Sequence, residues 1–339
     1  MRESERAGVG AAFSWIKPDR FTLTMMVTLA LATFFPARDV VADVVQEAGL
    51  ALVFLLFFLH GGNLSPRSIL GSLGHWRFHT LVLAATYLLF PTIGLLFAPF
   101  GHMALDSSLY TGVLFLCCLP STVQSSVAFT SMARGNIPAA VCAASVSNLL
   151  GVFITPLLVS LLLARHGAIS FASAGPVFTT ILLPFMLGQL ARPWIGGWLA
   201  GRRRLLAFTD RGSILLMVYA AFGQAATRGL WGALDMQQLG ILVLVCLVVL
   251  ACALSFTLAG ARLARLPEAD RSAVALCGSM KSLVTGVPMA MILFPSETAA
   301  AIVLPLMIFH QIQLLVCAWL ARSWGRKAEA GARPPLVVS

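Results

Sequence analysis

Cys277-Gly-Ser-Met-Lys281-Ser-Leu-Val-Thr285-Gly-Val-Pro288 lies inside a long apolar run, from Ala273 to Phe294, and its reading decides the fold. Glycine, hydroxyls and proline are poor company for an unbroken helix at membrane depth. The lysine is costlier still, because an ammonium at the centre of a bilayer-spanning helix costs at least ~2.5–3.5 kcal/mol on insertion scales. A snorkelling lysine would sit near an interface; this one sits well inside its run. A second stretch, Pro120-Ser-Thr-Val-Gln124-Ser-Ser126-Val-Ala-Phe-Thr130, has the same character in the first half of the chain. At 1.5 Å per residue both Pro120 and Lys281 fall roughly 12–18 Å inside their runs, near a midplane. Backbone freed by such residues survives in a membrane only where protein or a water-lined cavity satisfies it.

Working outward, the apolar runs on either side make the chain a polytopic all-α membrane protein. Of its 339 residues, 59% are hydrophobic and 11% charged, too few charges for a water-facing surface. Ten spans are expected: 21–35, 44–60, 78–97, 108–132 and 137–163, then 175–191, 214–226, 238–261, 273–294 and 298–320. With the N-terminus cytoplasmic, nineteen of the 23 lysines and arginines fall in inside loops and tails. Arg38, Arg165 and Arg228 fall outside, and Lys281 stays in a span. That asymmetry obeys the positive-inside rule and puts both termini in the cytoplasm. The net charge of +10 therefore reports orientation, and nucleic acid is not an expected partner.

Five spans per half make the halves inverted repeats, a recurrent plan among secondary transporters. The expected divisions are an N-terminal cytoplasmic segment (1–20), a first repeat (21–163), a second repeat (164–322) and a short, polar, loose tail (323–339). The basic lead Arg2, Arg6, Lys17 and Arg20 before a short apolar run also resembles a signal peptide, but cleavage would leave nine spans. The interrupted runs are the fourth of each block of five, with Pro120, Gly278 and Pro288 as the interrupting residues. Matched interruptions of this kind point to a transport site.

No Asp or Glu is expected near Lys281; Glu47 lies toward the outer end of its span. Lys281 must then bond carbonyls or hydroxyls, give up its proton, or bind an anion. His310, Gln311, Gln313, Gln224, Thr227 and Asn148 either line a cavity or bond between helices. His60 and Asn63 around Gly61-Gly62 read as a helix end, Gly197–Gly201 as an incidental small-residue pair, and Asn63-Leu-Ser65 as an irrelevant cytoplasmic glycosylation match. The seven cysteines lie in apolar runs without metal-ligand spacing and read as small buried hydrophobes. Neither a GxxxxGK[ST] nucleotide loop nor the HExxH and GxSxG hydrolase motifs occur, so no ATPase, enzyme or organic cofactor is expected.

Pro120–Thr130, Ala133-Arg-Gly-Asn136 and Gly278-Ser-Met-Lys-Ser-Leu-Val-Thr-Gly-Val-Pro-Met289 resemble the bile acid:sodium symporter superfamily, in its bacterial branch related to the seventh human bile-acid carrier. The resemblance runs over all ten spans. It implies core and panel domains, unwound fourth and ninth helices that cross, and amphipathic organic-anion substrates. It also implies sodium sites, which carry over poorly. The coupling-ion glutamate falls at Cys277 and a nearby glutamine at Lys281; fifth-helix hydroxyls fall near Ala140 and Ala144; another glutamine falls at Thr86. The oxygen ligands left for Na⁺ are Ser126, Thr130, Ser145 and Asn148. A cation site that lost its carboxylate and gained an ammonium repels Na⁺, so Lys281 is expected to stand in the ion's place.

The sequence thus reads as a multi-pass carrier of a small organic anion in a bacterial inner membrane. Substrate-binding or coupling candidates are Lys281, Gln124, Ser125, Ser126, Thr130, Ser279, Ser282, Asn148, Thr86 and His310. The alternatives are a proton-coupled carrier of another solute and a membrane component that regulates other machinery. A channel is disfavoured by the lack of a filter motif or charge ring. Substrate, direction and oligomeric state are not written in the sequence.

Overall fold

A computed structural model describes residues 20–63, 75–164, 178–229 and 235–332, and all regular structure among them is helical. The first helices are α1 (Arg20–Phe34), α2 (Asp39–Asn63), α3 (Trp76–Leu96), the short α4 (Ala98–Ala104), α5 (Ser107–Cys118), α6 (Gln124–Met132) and α7 (Ile137–Ala164). Next come α8 (Leu183–Ala200, after a π-helical turn Phe178–Leu182), α9 (Arg203–Thr227), α10 (Met236–Leu263), α11 (Glu268–Ser279), α12 (Leu283–Leu293) and α13 (Ser296–Ala332). Seven stretches among the described residues are long and apolar enough to cross a membrane, α11 and α12 counting as one, while Leu23–Phe34 and α5 are shorter apolar helices.

Several expected boundaries move. The seventh helix begins at Arg203, not near 214: Leu, Ala and Arg form helix readily, and charge alone does not stop it. The last helix runs to Ala332, where a loose tail is expected. Ala321 is buried there, Trp324 packs on the core, and Arg134, in the turn between α6 and α7, pairs with Glu329 at 2.6 Å. The expected start of the sixth span at 175, the basic lead up to Lys17, the loops holding Arg67 and Arg165, and Leu64-Ser65 lie outside the described residues.

Packing sorts the helices into two groups. In one, α2 packs on α8 and α9, and α9 packs on α1. In the other, α3, α5, α6, α7, α10, α11, α12 and α13 pack on one another, and α9 touches α12 and α13 across the divide. The closest approach in the first group is a glycine crossing. A Cβ added at Gly61 would lie 2.1 Å from the Phe185 carbonyl oxygen, and one at Gly188 would lie 2.0 Å from the Phe58 oxygen. Gly197 and Gly201, the sequence-level small-residue pair, press against no neighbouring helix.

Candidate functional site

The buried centre of the second group is where two broken helices meet. The first break separates α5 from α6 over residues 119–123 and contains Pro120; the second separates α11 from α12 over residues 280–282. Gly278 lies inside α11 and Pro288 inside α12, so neither marks the second break. Gly278 instead lets α10 approach, since a Cβ there would lie 2.7 Å from Thr257 Cγ2. Pro288 is tolerated as a residue within a short helix whose start is capped by Ser282.

The five carbonyls from Cys117 to Ser121, where α5 ends and the first break begins, each have a donor. Cys118 O accepts from Thr155 Oγ1 at 2.9 Å, Pro120 O from Ser282 N at 2.9 Å and Ser121 O from Asn148 Nδ2 at 2.5 Å. The other two, Cys117 O and Leu119 O, accept from Lys281 Nζ at 3.1 and 2.6 Å. The third Nζ bond goes to Thr86 O at 2.9 Å. Thr86 is the second residue of a π-helical turn, Ala85–Leu89, and in that register its carbonyl would receive the N–H of residue 91. Residue 91 is proline and has none, so the ammonium fills the vacancy. Phe90 completes the enclosure, its ring centroid 4.0 Å from Nζ. Lys281 is 0% exposed and spends its three N–H donors on three carbonyls, the first of the options open to it from sequence.

The second break is satisfied without a charge. Gln313 Oε1 accepts from Lys281 N at 2.7 Å and Gln313 Nε2 donates to Lys281 O at 2.9 Å, while His310 Nδ1 lies 2.9 Å from the same amide nitrogen. Cys277 O accepts from Ser121 Oγ at 2.5 Å, and Leu276 O from Ser126 Oγ at 3.4 Å. Ser282 Oγ caps α12 by accepting from Thr285 N at 3.2 Å, and Thr285 Oγ1 donates to Asn148 Oδ1 at 3.1 Å.

Most of the expected site residues therefore converge. Lys281, Ser126, Ser282, Asn148, Thr86 (through its carbonyl) and His310 belong to this one network. Ser279 Oγ turns back to Ala275 O at 2.6 Å, a local helix bond. Thr130 Oγ1 is buried without a hydrogen-bond partner among the described residues, and Ser125 and Ser145 are half-buried. Cys277 Sγ faces Ala140 O at 3.7 Å. Gln313 and Thr155 are the participants that sequence reading undervalued; a glutamine or threonine in an apolar helix carries no signal of where it points.

Comparison with known proteins places this geometry in a family. Residues 19–326 match the model of the SBF-like CPA transporter family. The chain belongs to that family. It is 48% identical over 312 residues to YfeH of Escherichia coli (strain K12), named there as a candidate symporter, with 92% of this chain and 94% of that one covered. It is also 48% identical over 317 residues to the uncharacterized protein PA2026 of Pseudomonas aeruginosa, with 93% and 95% covered. Sodium/bile acid cotransporter 7 of Rattus norvegicus is 27% identical over 292 residues, with 83% and 85% covered. The resemblance to bile acid:sodium symporters thus holds, and this SBF-like chain is a multi-pass membrane transporter, not an enzyme.

Two further features of the SBF-like chain lie where its two helix groups meet. Asp210, on the part of α9 expected to be loop, is only 6% exposed; Gln124 Nε2 at the start of α6 donates to its Oδ2 at 3.1 Å. His60 Nδ1 lies 3.8 Å from Asp210 Oδ1 and 2.9 Å from Leu56 O, so His60 is a partner of a buried acid as well as a residue near a helix end. At the other end of α9, Arg38, Asp39, Asp43, Gln46, Gln224 and Arg228 line an open cavity of about 670 Å³ together with Ser296 and Glu297 of α13. Gln224 bonds Gln46 at 3.2 Å on its wall, and Arg228 pairs with Glu297 at 3.0 Å across the two groups.

Proposed function

We propose that the protein carries a small amphipathic organic anion by alternating access between the two helix groups, without sodium as the coupling ion. The observation that carries this reading is the Lys281 ammonium, held by the carbonyls of Thr86, Cys117 and Leu119. Backbone carbonyls at the C-terminal end of a helix are ligands of the kind that hold a hard cation, and they carry the negative end of the helix dipole. With an ammonium already among them, and Cys277 where the resemblance calls for glutamate, the residues present do not fit Na⁺.

The packing supports ten spans in two inverted five-helix repeats. Exchanging the halves turns the α1–α9 contact into α8–α2, α10–α11 into α3–α5, and α13–α5 into α7–α11, all of which occur. The group of α1, α2, α8 and α9 then corresponds to the panel, and the remainder to the core. With both termini in the cytoplasm of a bacterial inner membrane, the cavity of Arg38 and Arg228 opens outward. Its volume suits a drug-sized solute, and α6 and α12 begin near the crossing, where helix N-termini favour a carboxylate or sulfate.

The test is uptake by proteoliposomes containing this protein alone, with a panel of labelled carboxylated and sulfated amphiphiles. The expected result is saturable accumulation in sodium-free buffer that an imposed Na⁺ gradient leaves unchanged. Stoichiometric dependence on Na⁺ overturns the coupling assignment, and the absence of uptake across the panel favours a regulatory membrane component.

A further inference from the structure

Asp210 and Asp270 are the buried carboxylates among the described residues. Asp270 has a structural explanation: it sits in the first turn of α11, where a helix N-terminus favours negative charge, and Asn136 Nδ2 donates to it at 2.7 Å. Asp210 also has an amide donor, Gln124, but no helix N-terminus beside it. It lies about two turns into α9, away from both helix ends, and an ionisable group buried in a membrane-spanning helix is by default a functional group with a partner.

Its partners come from both helix groups. His60 belongs to α2, which packs on α9, whereas Gln124 opens α6 on the opposite side of the divide. The imidazole Nδ1 faces two acceptors, Leu56 O and the carboxylate, so that nitrogen carries a proton. The amide thus points an N–H at one carboxyl oxygen, while the imidazole, whose Nδ1–H goes to Leu56 O, stands 3.8 Å from the other as a neighbouring partner for its charge. That donor set suits a carboxylate or a protonated acid and offers nothing to a metal cation. The other charge facing Asp210 is Arg211, the next residue on α9, whose guanidinium lies 5.8 Å from the centroid of the Phe21 ring. Among the other elements packed on α9, α12 and α1 beyond Arg20 carry no titratable residue and α8 carries only Arg192. On α13, His310 is bonded to Gln313, Glu297 pairs with Arg228 at the far end of α9, Glu329 pairs with Arg134, and Arg322, Arg326 and Lys327 lie in its last turns.

We infer that Asp210 is the proton-binding site that couples this carrier, with His60 and Gln124 as the groups its charge holds. The inference rests on the reading of the chain as a sodium-independent carrier and names its coupling ion. When a proton from water adds to a carboxylate oxygen of Asp210, the acid becomes neutral. Its bond from Gln124 then loses its charge assistance, and its attraction for the imidazole goes. The α6–α9 contact then loosens on the side opposite the Arg228 cavity. Return of that proton to water on the other side restores the contact, and no other bond or electron is involved.

Two measurements test this on the full chain in liposomes, with the proton as the only ligand varied. In infrared difference spectra taken across a pH series, the wild type should show a carboxylic acid C=O band that is lost in Asp210→Asn. Identical titration of the two proteins overturns the assignment. The second uses Ser125→Cys, next to Gln124, and a membrane-impermeant maleimide, with the parent chain as background. Taken as a ratio to the labelling of a free thiol at the same pH, since only the thiolate reacts, labelling should quicken as pH falls, and Asp210→Asn in the same background should show the high ratio at every pH. An unchanged pH profile in the double variant overturns the coupling role, and His60→Gln, which keeps Asp210, should retain the infrared band. Neither readout needs substrate or sodium, so a failed uptake assay with an intact Asp210 band indicts the transport reading, while the reverse indicts Asp210.

Discussion

The two breaks at the centre of the molecule solve one problem by different means. Between α5 and α6, freed carbonyls gather at the negative end of a helix and are capped by a cation borrowed from the other break. Between α11 and α12, the freed N–H and C=O of that same residue are taken by one neutral amide, Gln313. The contrast teaches that the two breaks are one unit: Lys281 is at once the residue that is unwound and the ion that allows the other helix to unwind. It also separates charge from hydrogen bonding as supports for irregular backbone at membrane depth.

Replacing the charged support should do most damage. Lys281→Met leaves the Thr86, Cys117 and Leu119 carbonyls without donors and is expected to lower stability by ~3 kcal/mol or more, read as a fall in the thermal unfolding midpoint of the purified protein. Gln313→Leu removes the neutral support, orphaning two backbone groups, and should cost about 2 kcal/mol while leaving Lys281 Nζ in place. If the two variants rank in the opposite order, the charge is not the dominant element of the crossing. Thr155→Val, which strips a single donor from Cys118 O, should cost about 1 kcal/mol. A larger effect there would mean that the hydroxyls carry the first break and the ammonium is secondary.

How much of this could be read from sequence follows from how unusual each residue is in its setting. Lys281 and Pro120 stand out because a lysine or a proline in an apolar run needs a reason, and both sit at or beside a break. Pro288 and Gly278 send the same signal yet lie within helices, since a proline or glycine breaks a helix only where other groups satisfy the freed backbone. Pro91 sends no distinct signal among its apolar neighbours, although its missing N–H is what leaves Thr86 O for Lys281. Asp210 was hidden by its neighbours: Arg202, Arg203, Arg204 and Arg211 made residues 202–211 read as a loop, while the chain there is helix and its acid faces inward. The last helix passed its expected end for a related reason. Beyond Leu320 the residues are polar as a set but keep an inward face through Ala321 and Trp324.

The most direct test of the central claim, that Lys281 is a built-in substitute for a bound cation, is the unfolding midpoint of the wild type and of Lys281→Ala in Na⁺ and in N-methylglucamine at equal ionic strength. A ligand that binds the folded state alone raises that midpoint. The wild type should unfold at the same temperature in both salts, whereas Lys281→Ala should be weakened in N-methylglucamine and partly restored by Na⁺ entering the vacated carbonyl cage. A wild type stabilised by Na⁺, with a Lys281→Ala variant indifferent to it, would contradict the account.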